Sequence, residues 1–169
     1  MTKKMTGEPI SKKIDEDWSK VEEALQQFEK RIGLGGLEPS AVTNLLTLTP
    51  AALNKMSVED CAEGALLLSQ EATYIQSQLN MLQSKMDWCK RRIDKIIAPI
   101  IRSQLQRYMD ASYKRALAIK EDDVADRLQA VYDETASYHS RLSYLPTSLR
   151  SQADKLSKYQ ETKRGQNYG

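Results

Sequence analysis

From Cys61 to Ile100 mostly apolar positions recur in steps of four and three: Cys61, Ala65, Leu68, Ala72, Ile75, Leu79, Leu82, Met86, Cys89, Ile93, Ile96 and Ile100. Such spacing places all of these side chains on one face of an α-helix, and the run exceeds five heptads. It predicts one long helix from Val58 to about Ile97 with a buried stripe that needs a partner. Ser57, with Asp60 three positions on, offers an imperfect capping box for its start, and Glu59 suits the first turn. Pro99 removes a backbone donor and crowds the preceding turn, which predicts a kink or break near Ala98. Ile100, Ile101, Leu105, Tyr108 and Met109 then suggest that helical character resumes.

The same spacing appears on either side. Ile14, Trp18, Val21, Leu25, Phe28 and Ile32 predict an N-terminal amphipathic helix opened by Ser11 and closed by the glycines at 33, 35 and 36. Val124, Leu128, Val131, Thr135, Tyr138, Leu142, Leu145 and Leu149 predict a returning C-terminal helix, continued by Leu156 and ended at Arg164 and Gly165. Pro146 falls inside that run and argues against one straight helix. The acids Glu121, Asp122 and Asp123 mark a connector and a favourable helix N-terminus. Tyr113, Leu117 and Ile119 are expected to pack at that turn. Between the first two helices Thr49 and Pro50 read as cap and first helical position of a short helix through Leu53.

The predicted fold is all-α: a long amphipathic central helix packed with a shorter N-terminal helix and a returning C-terminal helix. The segments are 1–36, an amphipathic helix with a glycine-rich end; 37–56, a connector with a short helix; 57–120, the long helix with its basic distal half; and 121–165, the C-terminal helical segment. Composition agrees, because 40% apolar residues with one Phe and two Trp leave the core to side chains that helices accommodate readily. The stripe suits a core seam within one domain and also a self-association surface. In the second case Ile75, Leu79, Leu82, Met86, Ile93 and Ile96, with Leu142, Leu145, Leu149 and Leu156, would carry a homo-oligomer. No segment has the roughly 18 consecutive apolar residues of a membrane span, and the N-terminus lacks the apolar run of a secretory leader. A cytoplasmic location is expected, with Cys61 and Cys89 as buried thiols. They are about 42 Å apart along one helix, at 1.5 Å per residue, and cannot bridge within it.

A net charge of +2 conceals strong segregation. From Lys85 to Lys120 there are ten basic residues against three acids, and residues 121–134 hold six acids and one arginine. A basic pole neutralises phosphates and releases counterions irrespective of base sequence. Lys85, Lys90, Arg91, Arg92, Lys95, Arg102, Arg107, Lys114 and Arg115 are therefore the candidate nucleic-acid contacts, with Trp88, Tyr108 and Tyr113 as rings on which bases could stack. A solvated face or the counterpart of an acidic protein surface fits the same charges. The acidic stretch suits the basic pole of a second copy, the chain's own basic helix or a protein partner.

Enzymatic readings find little. Gly33, Leu34, Gly35 and Gly36 lack the Lys and Ser or Thr of a phosphate-binding loop. His139 is the one histidine, and adjacent Ser140 points elsewhere on a helix. Asp122, Asp123 and Asp126 are explained by capping more simply than by a divalent cation. No metal or cofactor is expected.

The stretches LLLSQEATYIQSQLNMLQSKMDWCKRRIDKII, residues 66–97, and YHSRLSYLPTSLRSQADKLSKYQETKRG, residues 138–165, give this chain a plan that resembles the UvsY-type recombination mediators of tailed phages. In the first an apolar repeat leads into a Lys/Arg-rich half; the second is a tyrosine- and leucine-bearing helix with a basic end. The resemblance implies a non-enzymatic protein in the host cytoplasm that binds single-stranded DNA and forms an oligomer. It would help a RecA-like recombinase displace the single-strand binding protein. Lys90, Arg91, Arg92, Lys95, Arg102 and Arg107 would fall at the DNA contact, and Leu142, Leu145, Leu149 and Leu156 would serve assembly. The alternatives from the residues are a helical adaptor that grips a partner through the seam and a small inhibitor whose acidic patch mimics nucleic acid.

Overall fold

The structure, a computed structural model, describes residues 7–31, 36–103 and 110–167. Its elements are α1 (Gly7–Arg31), α2 (Pro39–Leu46), α3 (Pro50–Lys55), α4 (Val58–Ser103), α5 (Ala111–Glu121), α6 (Asp123–Leu142) and α7 (Leu145–Asn167). The fold is all-α, with the long central helix α4 packed against shorter N- and C-terminal helices. The chain divides into two compact units, each assembled from separate stretches: Met1–Gln27 with Asn80–Ser140, and Phe28–Leu79 with Arg141–Gly169.

Local side-chain caps set the starts of four helices, α3 to α6. The Ser57 hydroxyl accepts from the Asp60 N–H at 3.0 Å, and the Asp60 carboxylate accepts from the Ser57 N–H at 2.9 Å, so both arms of the capping box form. The Thr49 hydroxyl accepts from the Ala52 N–H at 3.2 Å with Pro50 as the first helical residue. Asp122 ends α5 and opens α6, where one carboxylate oxygen accepts from the Val124 and Ala125 N–H groups, each at 2.9 Å. Asp110 caps α5 in the same manner through the Ser112 and Tyr113 N–H groups.

Several expectations are corrected. Helix α4 does not break at Ala98 but runs through Pro99 to Ser103. Pro99 and Lys95 are both exposed, so the carbonyl left without its i+4 donor belongs to a residue on the wet side, where water can satisfy it. Helix α2 was not foreseen; Pro39 starts it, and its N-cap residue Glu38 makes no side-chain cap bond. Helix α1 begins at Gly7, before Ser11, and its expected glycine end lies largely outside the described residues. The C-terminal run is two helices divided at Ser143 and Tyr144, with Pro146 in the first turn of α7, where its missing N–H costs no hydrogen bond. Helix α7 continues past Gly165 to Asn167. Tyr113 and Leu117 are 54% and 43% exposed, and Ile119 alone of the expected trio is buried.

In the unit containing α2, α3, the first part of α4 and α7, Ala65, Leu68 and Ala72 pack with Leu149, Ala153 and Leu156, and Val42, Leu45, Leu53 and Met56 close over them. Gly64 permits this approach: a Cβ there would lie 3.0 Å from Leu45 Cδ2 and 3.1 Å from Leu156 Cδ1. The Lys163 ammonium donates to the carbonyls of Leu53, Asn54 and Met56, which satisfies the C-terminal end of α3. Nearby, Tyr159 donates its hydroxyl to Asn54 at 3.2 Å.

In the unit built from α1, the distal part of α4, α5 and α6, the core comprises Cys89, Ile93, Ile97, Ala118, Ile119, Ala125 and Leu128. The buried line along α4 passes through Ile97, whereas the heptad positions Ile96 and Ile100 are half-buried. The reason is helical geometry: a strict seven-residue repeat drifts about 20° per heptad around a straight helix, and Ile97 falls about ten whole turns after Cys61. Trp18 of α1 is buried, its ring 5.8 Å from that of Trp88.

Candidate functional site

The basic residues of distal α4 separate into three groups. At 100° per residue Arg91, Lys95 and Arg102 fall within about 40° of one another, roughly opposite Ile93. All three are exposed, and among the described residues none of them forms an ion pair. They make a cationic stripe about 16 Å long, at 1.5 Å per residue, on the outer face of a rigid helix.

Lys85 and Arg92 have partners. The Arg92 guanidinium donates to Asp17 of α1 at 2.7 Å and lies 5.3 Å from the Trp88 ring centroid; the Lys85 ammonium is 5.5 Å from that of Trp18. This interleaving of two cations and two indoles locks α1 onto α4. Trp88 is therefore half-buried against another ring, not displayed as a stacking platform.

Lys90 and Arg115 form the third group. With Ile93, Gln129 and Tyr132 they line a cleft of about 190 Å³ among α4, α5 and α6. Arg115 is also ion-paired with Asp94. Lys114 is half-buried near the start of α5, and Arg107 lies outside the described residues. Gln129 and Tyr132 were not foreseen as site residues, because they sit in the acidic stretch and meet Lys90 only through folding.

The residues expected to form an oligomer seam are divided by the fold. Leu79, Ile93, Leu149 and Leu156 are buried within the chain itself, whereas Ile75, Leu82, Met86, Ile96, Leu142 and Leu145 are half-buried. The acidic stretch presents Asp123, Asp126, Asp133 and Glu134 on the exposed side of α6. Burial pushes the Cys89 thiol above its ordinary pKa and disfavours the reactive thiolate; Cys61 is likewise buried. Among the described residues no group of three or more His, Cys, Asp or Glu side chains is arranged to hold a metal ion. No described helix is long and apolar enough to cross a membrane.

Compared with protein-family models, curated proteins and solved structures, the chain matches none.

Proposed function

We propose that this chain is a non-enzymatic single-stranded DNA-binding recombination mediator. It would act as a homo-oligomer that assists assembly of a RecA-like recombinase on strands held by a single-strand binding protein. The observation that carries the DNA-binding part is the exposed stripe of Arg91, Lys95 and Arg102, without ion-pair partners among the described residues. A row of cations on one rigid helix suits a charged backbone and needs no base-specific contact. The recombinase and single-strand binding protein come from the resemblance of residues 66–97 and 138–165 to the UvsY-type mediators. In an oligomer each stripe would be repeated, so modest individual contacts would add through avidity.

The test is titration of a labelled single-stranded oligonucleotide at several salt concentrations, with the protein and its Arg91→Ala/Lys95→Ala/Arg102→Ala variant. Binding should weaken steeply with salt. Loss of three phosphate contacts should reduce the log–log salt slope by about 2, at roughly 0.7 per phosphate for single strands. Absence of binding even at low salt would exclude this function. An adaptor role would instead leave the variant's partner binding unchanged, since the stripe would then serve only solubility.

A further inference from the structure

A phosphate-binding stripe does not by itself favour single strands, because duplex DNA presents phosphates too. Resting on the proposed function, we infer that the cleft of Lys90, Ile93, Arg115, Gln129 and Tyr132 receives one unstacked base of the bound strand and supplies the preference for single-stranded DNA. The chemistry and size of its lining support this. Ile93 is 1% exposed and provides an apolar floor. Tyr132 is half-buried and packed against the same core, which offers a ring at low cost in side-chain freedom. Gln129 is held through its amide nitrogen, which donates to Asp133 at 2.9 Å, leaving a carbonyl oxygen to accept from a base edge.

Lys90 is exposed and Arg115 about a third exposed, so both cations belong to the rim. The Arg115 pairing with Asp94 does not exhaust a guanidinium, which has five N–H donors. It can keep the aspartate and also meet the phosphate next to an inserted base. The cleft has a volume of about 190 Å³. That suits one planar base and is small for a drug-sized ligand, whose pockets begin at roughly 300 Å³. A duplex cannot use the cleft without unstacking and unpairing a base, whereas a single strand meets a much smaller penalty.

The experiment compares oligo(dT) with an abasic oligomer of the same length, which has the same phosphates and no bases. The proteins are the unaltered chain, Gln129→Phe, which fills the cleft from a half-buried position on α6, and Tyr132→Leu, which removes the ring and keeps an apolar side chain against the core. Thermal melts verify folding of both variants. The unaltered chain should bind oligo(dT) about tenfold tighter than the abasic strand. Both variants should lose that difference and keep their affinity for the abasic strand. Equal binding of the two oligomers by the unaltered chain would overturn the inference, and so would a folded Gln129→Phe protein that retains the tenfold difference; either outcome leaves the stripe reading standing. Binding of neither oligomer would overturn both.

Discussion

Ser57 and Asp60 show how single residues set the architecture, since their reciprocal hydrogen bonds begin the helix that both units use. Replacing Ser57 with Ala should lower stability by about 1 kcal/mol, measurable by denaturant titration. The backbone and side-chain hydrogen bonds from Ser57 hold the Asp60 carboxyl below its ordinary pKa. Those from the Ser112 hydroxyl and N–H, with the Tyr113 N–H, do the same for Asp110. A carboxylate with a lowered folded pKa adds stability above its unfolded value, about pH 3.9, and loses it as pH falls through the folded value. Thermal melts of Asp60→Asn and Asp110→Asn should therefore show a shallower loss of stability below about pH 4 than those of the unaltered chain. The Ser57 cap was legible because its partner lies three positions away, whereas the Asp110 cap was not, since residues 57–120 read as one long helical segment. Nor was the Gln129 and Tyr132 side of the cleft, since nothing local relates those residues to Lys90.

At the scale of elements, periodicity identified α4 and located its stripe, but a sequence repeat of 3.5 and a helix of 3.6 residues per turn diverge over this length. Hence Ile97, next to the heptad position, is buried; separately, four of the ten residues of the expected assembly seam, Leu79, Ile93, Leu149 and Leu156, are buried within the chain. The amphipathic segment of α1 was also legible, whereas its pairing with distal α4 depends on Trp18, Asp17, Trp88 and Arg92 meeting across a long sequence separation. Pro99 was read by its local cost alone; its exposed setting made continuation tolerable. If that is why α4 persists there, Pro99→Ala should raise the thermal midpoint, by an increment of up to about 3 kcal/mol in stability. An unchanged or lowered midpoint would show that Pro99 has another structural use.

For the whole molecule, the chain's near-neutral total hides a cationic outer face on α4 and an anionic one on α6. Folding also buries large aliphatic side chains in two separate cores, Leu68, Leu149 and Leu156 in one and Ile93, Ile97, Ile119 and Leu128 in the other. Leu156 is completely buried in one of them, and Leu156→Ala should cost about 2–5 kcal/mol in a urea titration. That is a large share of the roughly 5–15 kcal/mol that typical domains possess. Both units are discontinuous, and their boundaries are nested: the segment Asn80–Ser140 is inserted between the two parts of the other unit. A ribosome therefore releases every piece of the inner unit before it makes α7, while Leu68 and its neighbours wait for Leu149 and Leu156. Birth order thus makes the second-numbered stretch of the outer unit its last stitch, and a chain stalled after Ser140 would leave one core closed and the other gaping.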